Sequence, residues 1–289
     1  MKFIRSKDDV RLNKKPFFSE EDLFSELEKK TGTSLFLGKY SLTEIEAVLR
    51  KKNLFKEAKK RKLWPLDYDI DSSSFPPLQR FRIYYGNKNA DKLIVDLKLK
   101  EAGYRPKSEI ASFFNSKKFK FLNLEWLTLQ NPRMEFSNEK TPLPGQEHPG
   151  LSLGKKVRDL FVYLSKLLKD DGLLAFPAYF HNAILFSRSF KFINPDKEGE
   201  IKAIIRSFPE VTFKQLAWIV HLNCLMDEAG EVYEWKAEEQ IYPLNKELTG
   251  YFQSDYYRDK VKEAESRMKF RIDWPAFQKN YPEKARERR

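Results

Sequence analysis

Three segments in the middle of the chain alternate apolar and polar residues: 78–86, 92–103 and 119–132. Alternation with period two marks a half-buried strand. In the second segment it places Leu93, Val95, Leu97 and Leu99 on one face. Three such strands in series commit this part of the chain to a sheet. The third ends at a turn, and the pattern then changes.

The stretch "PGLSLGKKV" at 149–157 opens a helix with period 3.6. Val157, Leu160, Phe161, Leu164, Leu167 and Leu168 share its apolar face, and Asp170, Asp171 and Gly172 stop it. A short buried strand is expected over 173–180, a helix over 181–189 and a last strand over 190–195. The flanks read as helical, which divides the chain at about residues 75 and 195. In the first flank, Ser19 and Asp22 start a helix that Gly32 ends. Ser41 and Glu44 form a capping box for another. Ile45, Val48, Leu49 and Phe55 line that helix's apolar face, and lysines crowd the rest. The stretch 63–77 reads as a break. In the last flank, Thr212 and Gln215 form a second capping box, with Gly230 as the stop. A charged helix is expected over 255–270, and the basic tail is expected to fray.

A glycine loop feeding a helix start suits a phosphate. The first N–H groups of a helix lack intrahelical partners and carry the positive end of its dipole. Gly150 and Gly154 leave room for a ligand to approach the backbone, the hydroxyl of Ser152 can donate to phosphate, and Lys155 and Lys156 add charge.

The order of strands, glycine turn, helix, strand, helix and strand resembles the cofactor-binding core of the GNAT acyltransferase superfamily. The family signature is Gln or Arg, two residues, Gly, one residue, then Gly or Ala. The matching positions are Pro149, Gly150, Leu151, Ser152, Leu153 and Gly154. Downstream, "HNAILFSRSFKF" resembles a second family segment through Asn182, Ala183, Leu185, Phe186 and Phe190. The resemblance covers about residues 78–195. Pro149 stands where the family has Gln or Arg, Ser152 where it has Gly, Ser189 where Gly is usual, and Phe186 where many members have Tyr.

This resemblance implies an α+β fold: a mixed, mostly antiparallel sheet with helices on both faces, flanked by N- and C-terminal helical regions. It implies a site for acetyl-CoA or a longer acyl-CoA, built from Gly150, Leu151, Ser152, Leu153, Gly154, Lys155 and Lys156, with Asn182 holding a water or a cofactor carbonyl. It implies direct attack of an amine on the thioester. A base must first take the ammonium proton. Glu125 is the nearest carboxylate on the strand whose backbone N–H polarises the thioester carbonyl. Alternation places Glu125 with Leu127 and Leu129, where one-sided burial raises a carboxyl pKa. Tyr179 and His181 stand just before Asn182 and are the candidate acids for the leaving thiolate. Each also has a plainer role, Tyr179 in packing and His181 as a helix cap or exposed residue.

Charge leaves other partners open. The chain carries 54 Lys and Arg against 42 Asp and Glu, a net charge of +12. Such a field favours polyanions. Two alternatives therefore stand beside the transferase. One is a GNAT-like binding or scaffold protein without catalysis. The other is a nucleic-acid module using the basic stretch 49–62 with Phe81, Tyr84 and Tyr85 as stacking platforms. The single cysteine, Cys224, excludes an internal disulfide and reads as a buried hydrophobe. His148, His181 and His221 are too scattered for a metal site, and no hydrolase elbow or Walker loop is present. The charged N-terminus lacks a signal-peptide core, and the apolar runs are too short to span a bilayer, so a cytoplasmic protein is expected.

Overall fold

The computed structural model describes residues 35–74, 78–106, 108–114, 117–137 and 139–282. The helix expected from Ser19 to Gly32 and all but the first residue of the tail from Pro282 lie outside them. Seven strands form one mixed, mostly antiparallel sheet in an α+β fold. They are β1 (Leu66–Asp71), β2 (Gln79–Tyr85), β3 (Leu93–Tyr104), β4 (Phe119–Leu129), β5 (Gly172–Ala175), β6 (Lys191–Phe192) and β8 (Gln240–Pro243). Their order is β1-β2-β3-β4-β5-β8-β6. By internal contacts the chain divides into two units between Lys100 and Glu101, inside β3.

In the first unit, α1 (Leu42–Lys51) starts on the expected capping box, with Ser41 Oγ accepting from the Glu44 N–H at 3.3 Å. The helix stops at Lys52, and α2 (Leu54–Lys60) follows a left-handed Asn53. Leu49 and Phe55 are buried while Lys51, Lys56, Lys59 and Lys60 are exposed. The stretch read as a break contains β1. Its aspartates disfavour a strand locally, but Asp69 pairs with Arg82 across to β2, and Tyr68 stacks on Phe81 at 6.0 Å. That packing corrects a second expectation. Phe81 and Tyr84 are buried, Phe81 between Phe36 and Tyr68, so they present no open face to a base.

The second unit holds β4, β5, β8 and β6, with β4–β5 parallel and the other two pairs antiparallel. Phe192 pairs with Gln240, and Lys191 with Ile241, so Phe192 and Ile241 point to opposite faces. Each face has its own apolar cluster. Phe119, Phe121, Leu174 and Ile241 pack with residues of α8 (Lys246–Gln253) and α9 (Asp255–Arg267). Phe192 packs with residues of α5 (Phe180–Ser187), α6 (Pro195–Ser207) and α7 (Phe213–His221). The last flank is thus more than helical. It contributes β8 to the main sheet, and β7 (Leu225–Asp227) pairs with β9 (Phe270–Ile272). Gly230, at φ +89°, turns the chain after β7; α7 has already ended at His221. Cys224 is buried just before β7, and burial pushes its thiol up.

Candidate functional site

The parallel pair of β4 and β5 is short. It runs from Phe121↔Gly172 to Leu124↔Ala175 and stops. All four β5 residues are buried, and Pro177, with no N–H to give a ladder, follows shortly after. The longer β4 continues for five residues beyond the pair, as far as Leu129. There its alternation fails. Glu125 and Trp126 are both exposed, Trp126 at 46%, and across from them Phe176 is 45% exposed. Parallel register would set Glu125 beside Phe176 if the ladder went on. The ladder ends instead, and two aromatic side chains stand where the strands part. Glu125 is therefore not under the one-sided burial that alternation implied. Two residues earlier on the same strand face, Asn123 is buried, and its Oδ1 has no hydrogen-bond partner among the described residues.

The glycine loop is pinned to the end of β4. The Asn131 N–H donates to the Pro149 carbonyl at 2.8 Å, and the Leu151 N–H to the Leu129 carbonyl at 3.4 Å. Gln130 and Gly150 face each other in this small antiparallel bridge. Ser152 then takes φ +56°, the left-handed region that glycine occupies without strain. It stands at the position that resembles a signature glycine, so the backbone keeps a glycine conformation under a different side chain.

Helix α4 (Gly154–Leu168) begins two residues later, with Val157, Phe161 and Leu168 among its buried residues. Leu153 sits at its N-cap, where its side chain offers no oxygen. The Val157 N–H donates to the Leu153 carbonyl at 3.0 Å. The N–H groups of Gly154, Lys155 and Lys156 precede it. The first turn contains no acid, and Gly154, Lys155 and Lys156 are exposed. A Cβ at Gly154 would meet nothing within 4 Å. An uncapped helix start with two lysines is thus open to solvent beside the end of β4.

The other candidates gather elsewhere in the second unit. Tyr179 is the N-cap of α5, with no capping bond from its side chain. His181 neither caps nor lies exposed: it is buried at 4% exposure, and its ring stacks on Tyr179 at 5.2 Å. Burial, and then the neighbouring His221, lower its pKa to about 4. Asn182 is half-buried in the first turn of α5. Phe186 stacks on Phe190 at 5.4 Å. Arg158 of α4 donates to Ser189 Oγ at 2.6 Å, which ties the glycine-loop helix to the segment after α5.

A cavity of about 310 Å³ lies against α5 and α7. Phe180, His181, Ala217 and Val220 are its buried floor. Exposed His221, Asn223 and Glu234 stand at its rim, with half-buried Tyr179 and Trp235 as walls. Trp235 is held by a hydrogen bond from Nε1 to the Pro177 carbonyl at 3.0 Å and by Phe180 edge-on at 5.7 Å. The structure thus unites Tyr179 and His181 with His221, but neither Glu125 nor any residue of the glycine loop lines this cavity. Sequence reasoning missed Glu234 and Trp235. They lie between β7 and β8 in "EVYEWKAEEQ", where no periodicity or motif marks them. Among the described residues, no three His, Cys, Asp or Glu side chains cluster as a metal site. No helix of these residues is long and apolar enough to cross a membrane.

Comparison with protein-family models, with curated proteins and with solved structures found no match for this chain.

Proposed function

We propose that the chain is an acyl-CoA-dependent N-acyltransferase acting on an amine acceptor. One observation carries this reading. The ladder between β4 and β5 ends at Leu124 and Ala175 while β4 runs on, and a helix start without a side-chain cap, bearing Lys155 and Lys156, follows from the loop pinned at the end of β4. A cleft between parted parallel strands offers backbone edges to an extended chain. A cationic helix start offers N–H groups to a pyrophosphate. The left-handed Ser152 supports the same reading, because the loop keeps the glycine geometry of the signature it resembles.

Coenzyme A, carrying an acetyl or longer acyl group, supplies the thioester to be attacked. The N–H groups of Gly154, Lys155 and Lys156 and the two lysine side chains hold its phosphates. Asn123 Oδ1, buried and without a partner among the described residues, is an acceptor for an amide N–H at the closed end of the cleft. Glu125, exposed beyond the last paired residue, takes the ammonium proton. The amine nitrogen then bonds to the acyl carbon, the carbon–sulfur bond breaks, and Tyr179 gives its phenol proton to the thiolate; His181, held neutral by burial, has no proton acidic enough for that step.

A second reading has its own observation. Tyr179 and His181 line a cavity that includes neither Glu125 nor the loop, and Phe186 is packed on Phe190. That separation favours a protein that binds acyl-CoA without turning it over.

Calorimetry and thermal unfolding with acetyl-CoA, a longer acyl-CoA and adenosine test both. A ligand at 100 times its Kd stabilises the fold by about 2.7 kcal/mol. Stabilisation by acyl-CoA with release of free thiol in the presence of amines supports the transferase. Stabilisation without thiol release supports binding alone. An unmoved melting temperature with every acyl-CoA removes both.

A further inference from the structure

The cavity against α5 and α7 has a chemistry that the transfer reaction does not account for. Its charge runs against that of the chain. The protein has 54 Lys and Arg, yet none among the described residues lines this cavity. Its one carboxylate is Glu234 at the rim. His181 on the floor is held neutral at pH 7 by burial, so it offers one ring nitrogen as a hydrogen-bond acceptor and the other as a donor. Lys197 stands over the Trp235 ring at 4.5 Å, where Glu200 pairs with it at 2.6 Å. That lysine's charge is thereby matched within the wall.

These features select an occupant by elimination. An anion would face Glu234 with no cation on the lining to receive it. A wholly apolar ligand would leave the ring nitrogens of buried His181 without a partner from the cavity. A protonated amine gives N–H donors to the carboxylate and to the imidazole. Tyr179 and Trp235 give it aromatic walls. The cavity holds about 310 Å³, on the order of ten water volumes. That is room for one ring or a short chain.

We propose that this cavity binds a small organic ammonium ion, its apolar body on Phe180, Ala217 and Val220 and its nitrogen between Glu234 and His181. The inference stands on the cavity and needs no coenzyme.

The test is titration of the protein, with no coenzyme A present, by butylamine, benzylamine and tyramine at pH 7.5. Benzyl alcohol and benzoate serve as the neutral and anionic counterparts, and binding is read by backbone and indole NMR shifts. The expected result is saturable shifts at Ala217, Val220 and the Trp235 indole for at least one amine, with affinity at least tenfold above benzyl alcohol. Glu234→Gln is expected to bring the amine down to the affinity of the alcohol. Glu231→Gln, an exposed carboxylate outside the lining, is expected to leave it unchanged. No saturable shift with any amine at millimolar concentration overturns the proposal. Equal affinity for amine and alcohol, or equal loss in both variants, overturns it as well. Amine binding without acyl-CoA binding keeps this inference and removes the transferase. Acyl-CoA binding without amine binding does the reverse.

Discussion

The start of α4 and the cavity against α5 and α7 are opposite in kind. The first is open, uncapped and cationic, with Lys155 and Lys156 adding to the positive end of a helix dipole. The second is recessed, with a neutral histidine on its floor and one carboxylate at its rim. Another helix start in the second unit differs from that of α4. Helix α7 satisfies its own first turn through the Thr212 and Gln215 capping box, at 3.3 and 3.1 Å. Helix α4 has no side-chain cap. The lesson is that one chain of strongly basic composition can hold two local fields of opposite character. Net charge therefore says little about either site.

The largest expected effect concerns His181. Its pKa is about 4 in the fold against an ordinary 6.5. Below pH 6.5 the unfolded chain takes a proton that the folded chain refuses until about pH 4. The stabilisation is complete above pH 6.5 and is lost as pH falls towards 4, on the order of 3 kcal/mol in all. Urea unfolding across this range is expected to show that slope, and His181→Gln to flatten it. Equal slopes would mean that the cavity floor is wetter than the structure shows.

Next in size is the double replacement Lys155→Glu with Lys156→Glu. Acetyl-CoA affinity is expected to fall at least tenfold, about 1.4 kcal/mol. Stability is expected to rise by about 0.5 kcal/mol, since acids suit a helix start. Amine binding in the cavity is expected to stay unchanged, and a parallel loss there would collapse the distinction between the two sites. Thr212→Ala removes the cap of α7 and is expected to cost about 1 kcal/mol in thermal unfolding without altering acetyl-CoA affinity. Smallest is Ser152→Gly. Relief of the left-handed residue is set against the greater freedom of glycine in the unfolded chain, and a net gain of about 0.5 kcal/mol is expected. Ser152→Val is expected to lose stability, because a branched side chain resists that backbone. If both substitutions lower stability alike, the left-handed conformation is not what the loop requires.

Much of this was legible in the chain because it is local. Both capping boxes, at Ser41 and Thr212, are set by residues three apart. The apolar stripe of α4 and the alternation in the first half of β2 need only period and hydrophobicity; in β3, where Ile94 and Asp96 are buried opposite Leu97 and Leu99, both faces are covered and alternation does not tell. Where partners come from far away, reading failed. The aspartates of β1 look like turn residues until Arg82 arrives from β2. His181 looks like a cap until α7 covers it and brings His221. Glu125 looks half-buried until β5 ends at Ala175 and leaves its stretch of β4 exposed. By itself the sequence determined that β2 to β4 are strands and α1, α4 and α7 helices, where α1 and α7 start, and that a glycine-type turn precedes Gly154, since these follow from neighbours along the chain. Only the tertiary structure decided where β4 and β5 part, which histidine is held neutral, and that Glu234 and Trp235 close one cavity with Tyr179 and His181. Burial and field depend on groups tens of residues apart, and no local pattern carries them.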